Sequence, residues 1–180
     1  RVNIRELALE TLLAVGRDGE KSHQVIRNVL EKYQYLPRQE RAFFTRLCEG
    51  TLEYRIRLDY ILDAFSRTPA AGMKPVIREI LRMGVYQLRY MDAVPDSAAV
   101  NEAVKLAARK GFRNLKGFVN GVLRSVARNP GLPADPGEEQ LVRRLSVRYS
   151  MPEFLTEKWL EELGRDAAEN MDRFLSGSDD

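Results

Sequence analysis

Lys116, Asn120, Arg124 and Arg128 follow one another every four residues, a spacing that puts three cations and an amide on one face of a helix. This combination suits a polyanion. Guanidinium and ammonium groups take phosphate oxygens, and a side-chain amide can read a base edge or bond within the fold. Phe118, Val119, Val122, Leu123 and Val126 fall on the remaining face and would bury it. A second helix is predicted just upstream, with its N-cap at Asp96 or Ser97 and with Asn101 and Glu102 on its early turns. Ala98, Ala99, Ala103, Ala107 and Ala108 keep that helix slim, which lets a neighbour approach closely, and Lys110-Gly111 supplies the turn between the two.

A single basic helix is as often a solvated face as a binding one, so the charge of the whole chain decides between them. Residues 1–130 hold 23 Lys and Arg against 14 Asp and Glu, net +9. Residues 131–180 hold 6 against 12, net −6. The basic excess of the front region attracts polyanions and favours nucleic acid over an acidic or neutral ligand, without implying sequence specificity.

Chemistry of other kinds finds no residues to carry it. No G-x-G-x-x-G follows a strand, no G-x-x-x-x-G-K-[ST] or C-x-x-C occurs, and the single histidine, His23, cannot form a two-histidine metal site. His23 reads as a solvated or capping residue, and the lone Cys48 as small core filler. Asp59 with Asp63, and Glu161 with Glu162, read as solvating charges and not as acid/base pairs. Catalysis is not expected of this chain alone. No apolar run reaches the roughly 20 residues that cross a bilayer, and RVNIRELALETLL is amphipathic, with Glu6 and Glu10, so a cytoplasmic location is expected.

The elements that would position the basic face are helical throughout. Ile4, Leu7, Ala8, Leu12 and Val15 mark the first helix and Gly16 its stop. Further helices are predicted over 22–33, 37–49, 52–65 and 75–90, with Pro37 and Pro75 in first turns and Gly50 and Gly72 as breaks. No stretch alternates with period two, so no sheet is expected. Helix 75–90 has a continuous apolar side (Ile77, Ile80, Leu81, Val85, Leu88) suited to the centre of a bundle. Gly84 within it costs about 1 kcal/mol relative to Ala, which points to a close helix crossing. Lys74, Arg78 and Arg82 form a second basic stripe, read as a protein or domain contact. NPGLPADPG (129–137) marks a domain boundary. Beyond it, 138–149 and 152–164 read as short acidic helices that dock on a neighbour, and SGSDD as a frayed end.

Three blocks, RAFFTRLCEGTLEYRIRLDYIL (41–62), IREILRMGVYQLRYMDAVPDSAAVNEAVKLA (77–107) and GFVNGVLR (117–124), resemble one family. It is the NusB-like RNA-binding domain, found alone in transcription antitermination factor NusB and as the N-terminal part of the RsmB (Sun) ribosomal-RNA cytosine-C5 methyltransferases. The resemblance covers about residues 3–130 and implies an all-α bundle of two antiparallel three-helix halves. It implies an RNA face on the N-terminal helix and the loop-helix around GFVNGVL, hence Arg1, Arg5, Arg113, Lys116, Asn120, Arg124 and Arg128.

GTLEYRIRLDYIL, AAVNEAV and the arginine after GFVNGVL look closer to the methyltransferase branch, and 145–171 is similar to that family's helical linker. The domain plan so implied is a NusB-like domain over 1–130, a Pro/Gly linker over 131–137, and a helical linker over 138–180 leading to a catalytic domain absent from this chain. S-adenosylmethionine and the two catalytic cysteines would belong to that domain, and Cys48 matches neither cysteine. The implied partners are ribosomal RNA and the protein's own catalytic domain, with no membrane. A free-standing antitermination factor, binding leader RNA with a ribosomal-protein-like partner, is the first alternative. A protein-interaction scaffold without RNA is the second.

Overall fold

The computed structural model describes residues 1–16, 21–164, 166, 169–170 and 172, and the SGSDD end lies outside them. Local chemistry sets the first helix at both ends. Asn3 Oδ1 accepts the Glu6 N–H at 2.9 Å, satisfying a free donor of the first turn of α1 (Ile4–Val15). Gly16 ends α1 at φ 77°, a conformation that L side chains rarely adopt. The chain continues through α2 (Ser22–Lys32), α3 (Arg38–Glu53), α4 (Arg55–Phe65), α5 (Pro75–Tyr90), α6 (Asp96–Arg109) and α7 (Lys116–Arg128). Pro75 opens α5 where its missing N–H costs no helical bond. There is no strand among the described residues.

Two compact units divide the chain, Arg1–Leu132 and Pro133–Asp180. In the first, α1, α2 and α3 pack together, α5, α6 and α7 pack together, and α4 lies against α5 and α7. Helix α5 is central, touching α1, α3, α4, α6 and α7. Its Ile77, Ile80, Leu81, Met83 and Val85 are buried, in one core with Leu9, Leu47, Leu62 and Leu123. Each such side chain contributes about 1.5–3 kcal/mol by leaving water.

Two glycines set how closely α5 is approached. At Gly84 an added Cβ would lie 2.7 Å from Leu123 Cδ1, so the expected close crossing exists and its partner is α7. Gly50, expected as a break, lies within α3, which runs unbroken to Glu53. A Cβ there would fall 2.0 Å from Tyr86 Cζ, so the residue is small to admit a ring and not to end a helix. The N-cap position of α6 also differs from expectation. It is Pro95, without a side-chain cap, and Asp96 already belongs to the first turn.

The second unit holds α8 (Leu141–Tyr149) and α9 (Glu153–Leu163), with Leu141 and Leu145 packed by Tyr149 and Leu160. The expectation of two acidic helices is corrected here. Helix α8 reads LVRRLSVRY and is basic, while the acids lie in α9. Asp172, only 6% exposed, accepts Arg144 Nε at 3.0 Å, Arg148 Nη1 at 3.2 Å and the Tyr149 hydroxyl. Burial raises the pKa of its carboxyl, but the two guanidinium groups outweigh this and hold it below the ordinary aspartate value. Burial and that same carboxylate push the Tyr149 phenol up to about 12.

Candidate nucleic-acid interface

Helix α7 presents its two faces as its period requires. Val119, Val122, Leu123 and Val126 are buried, and Lys116, Arg124 and Arg128 are exposed with Asn120 half-buried between them. Beside α7, the N-terminal half of α6 completes a groove of about 310 Å³, lined by Asp96, Ser97, Asn101, Asn120, Arg124 and Arg128. The slim surface of α6 explains the close fit: Ala99, Ala103 and Ala107 are buried against the core. Among the described residues, Arg113, Lys116, Arg124 and Arg128 make no ion pair. Their positive field therefore reaches solvent, tempered within the groove by Asp96.

The structure thus gathers Asn120, Arg124 and Arg128 and sets the other expected residues apart. Arg113 is exposed in a short 3-10 turn, Arg113–Leu115, and Lys116 opens α7; neither lines the groove. Arg1 is 84% exposed on its side chain and bonds Glu40 at 2.9 Å. Arg5 is tied inward, with Nε donating to Gln87 Oε1 at 2.8 Å and its guanidinium 5.1 Å from the Phe43 ring centroid. Burial lowers its pKa, against the opposing charge of Glu102. A separate groove of about 420 Å³ lies beside Arg5, with Glu40 and Glu102 among its walls, so it is less cationic than the first. Asn101, on an early turn of α6, lines the groove with Asn120, a meeting that depends on how α6 and α7 pack and carries no signal in the sequence.

The stripe Lys74, Arg78 and Arg82 is not one surface. Lys74 Nζ lies 5.8 Å from the Phe112 ring centroid, and Arg78 Nη1 reaches the Ala70 carbonyl at 3.4 Å. Arg82 is turned inward, its side chain 10% exposed. Its Nε and Nη2 both donate to the Asp59 carboxylate at 2.7 Å, and its Nη1 to Glu79 Oε2 at 2.6 Å. Burial pushes the Glu79 carboxyl up despite Arg82, whereas the two acids raise Arg82 against its own desolvation. Asp59 is consequently an ion-pair partner and not a solvating charge. Asp63 also differs from expectation, accepting the Ala70 N–H at 2.7 Å. Glu161, Glu162 and His23 are exposed. Cys48 is fully buried, and burial pushes its thiol far up, keeping it neutral. No described helix is long and apolar enough to cross a membrane.

Comparison with known proteins agrees with this architecture. The model of the NusB family matches residues 2–128. The "Probable ribosomal RNA small subunit methyltransferase B" of Bacillus subtilis (strain 168) is 37% identical over 173 residues, covering 96% of this chain and 38% of that protein. The "Transcription antitermination protein NusB" of Nocardioides sp. (strain ATCC BAA-499 / JS614) is 32% identical over 130 residues, covering 72% of this chain and 94% of that protein. Among solved structures, T. maritima NusB superposes with a TM-score of 0.63 at 23% identity, over 71% of this chain and 92% of its own. Antitermination factors NusB and NusE in complex with dsRNA give 0.62 at 20%, over 69% and 93%. The chain thus spans well under half the length of the methyltransferase it matches.

Proposed function

The chain belongs to the NusB family, and on that premise we propose that it is the RNA-recognition module of a ribosomal-RNA small-subunit cytosine-C5 methyltransferase. The observation that carries this reading is the groove between α6 and α7, where Arg124 and Arg128 flank Asn101 and Asn120 and no ion pair among the described residues neutralises the arginines. Guanidinium groups there take phosphate oxygens, and the amides lie where a base edge or ribose hydroxyl would meet them. Similarity to methyltransferases over 96% of the chain includes the second unit and favours this branch over a free antitermination factor.

Methyl transfer is assigned to a domain outside these residues. Methylation at cytosine C5 needs a thiolate that can reach the base, and Cys48 is buried and neutral, so the residues present do not supply one. The role of this chain is to concentrate and orient RNA for a tethered active site. The antitermination reading keeps one specific support, the 94% coverage of the Nocardioides protein.

The test is titration of structured small-subunit ribosomal RNA, and of a short leader RNA, with the native chain and an R124E/R128E variant at several salt concentrations. The reading expects tighter binding of the ribosomal RNA. It also expects the variant to lose affinity and to lower the slope of log K against log salt by roughly 0.7 to 0.9 per phosphate contact removed. Unchanged affinity in the variant would take the groove out of the interface, and preference for the leader RNA would favour the alternative.

A further inference from the structure

Arg89, in the last turn of α5, donates from Nη2 to the carbonyls of Asn129 at 3.0 Å and Leu132 at 2.7 Å, so its guanidinium sits against the residues that follow α7. Its Nε and Nη1 find no protein acceptor among the described residues. One residue on, Tyr90 closes α5 and stacks on Tyr54, the rings 4.7 Å apart and 15° from parallel. Tyr86 supports both from the core side, 5.3 Å from Tyr90 and buried against Gly50. Arg46 donates to the Tyr90 carbonyl. Asp96, one of the residues lining the groove between α6 and α7, follows Tyr90 by six residues. Tyr54 and Tyr90 are partly exposed.

We propose that Tyr54 and Tyr90 form a stacking platform for an unpaired RNA base, whose flanking phosphates lie on Arg46 and Arg89 and continue to Arg124 and Arg128. This rests on the RNA-binding reading above and adds to it a surface, the tyrosine pair with its two arginines. Its physical basis is twofold. Aromatic rings already stacked in parallel and backed by a buried third ring are held rigid, so a base meets a preorganised π-face. The cations around them are held by carbonyl acceptors, which fix a guanidinium in place without cancelling its charge.

The experiment compares the native chain with Y54L/Y90L, which removes the ring faces but keeps apolar bulk, and Y54F/Y90F, which keeps the faces. Two probes are used, a mixed-sequence single-stranded RNA of about 12 nucleotides and a fully paired duplex of about 16 base pairs. Circular dichroism checks the fold. The platform predicts that the Leu pair binds single strands about tenfold more weakly with the duplex and the salt slope unchanged, and that the Phe pair binds like the native chain. Native-like single-strand binding by Y54L/Y90L would overturn the platform while the RNA reading stands, provided R124E/R128E weakens both probes. Failure of the native chain to bind either probe would sink the reading itself and the platform with it, and retention of both probes by R124E/R128E would take the groove, and its continuation from the platform, out of the interface. Should the Leu pair not fold, photocrosslinking 5-iodouridine-substituted single-stranded RNA to the native chain decides. Crosslinks on the peptides holding Tyr54 or Tyr90 support the platform, and crosslinks confined to other peptides overturn it.

Discussion

The two ends of α6 meet cations of the same kind in opposite electrical states. At its C-terminal end Arg109 and Lys110 each approach Glu6 to 3.0 Å, and Lys110 also reaches Glu10 at 3.4 Å. Around its N-terminal half Arg124 and Arg128 stand without an ion pair among the described residues. Helix α5 repeats the contrast within itself, since Arg82 is gripped by Asp59 and Glu79 while Arg89, among the described residues, bonds the carbonyls of Asn129 and Leu132 and no carboxylate. A cation answered by a carboxylate joins helices and loses its long-range field. One left unanswered gives little to stability and keeps the field that draws a polyanion. The net charge of a region does not separate these roles; the partners of each side chain do.

The strongest way to break this contrast is R82A, which leaves Glu79 buried without its partner. Denaturant titration should show a loss of about 3–5 kcal/mol with RNA affinity otherwise unchanged at temperatures where the variant is folded. A loss under about 1 kcal/mol would mean that the ion cluster contributes no more than a surface pair does. Next in size is G50A, where the Tyr86 ring must move from a buried position; a cost of about 1–3 kcal/mol is expected in the same measurement. On the binding side, R124E/R128E should weaken RNA by about tenfold or more, and R109Q, at the answered end, by less than about twofold. Equal losses from the two variants would erase the distinction between the ends of α6.

The smallest effect is that of E6Q, under about 1 kcal/mol, because the pair is partly solvated. Hydrogen bonding from Lys110, joined by Arg109 and opposed by burial, holds the Glu6 carboxyl below its ordinary value of 4.5. Its folded-state pKa being depressed, its stabilisation is present in full above that ordinary value and disappears as pH falls through the lowered one. The stability difference between native chain and E6Q should therefore close in acid. A difference that persists unchanged there would assign the effect to packing instead of charge.

Helix placement was legible because the 3.6-residue apolar period is local, and α1 and α5 begin and end where that period and its punctuation put them. Gly84 was legible too, as a costly residue inside a good helix. Gly50 was misread because a glycine that admits a neighbouring ring and one that ends a helix look alike until the ring is placed. The stripe of Lys74, Arg78 and Arg82 failed for the same reason, since Asp59 comes from another helix, 23 residues away. Of the expected site residues, Asn120, Arg124 and Arg128 share a groove because one helix face carries them, whereas the bonds of Arg1 to Glu40 and of Arg5 to Gln87 span 39 and 82 residues. The tyrosine cluster had a partial signal, Tyr86 and Tyr90 four apart on one helix; the third ring arrives only through tertiary packing.

The contact between Gly50 and Tyr86 has an evolutionary corollary. A bulkier residue at 50 is admissible only if the ring at 86 shrinks or withdraws, so the two positions should be inherited as a pair among homologues. Lineages that trade the ring away should lose the aromatic partner at 90 as well, leaving the correlated triplet as a heritable mark of the surface those rings build.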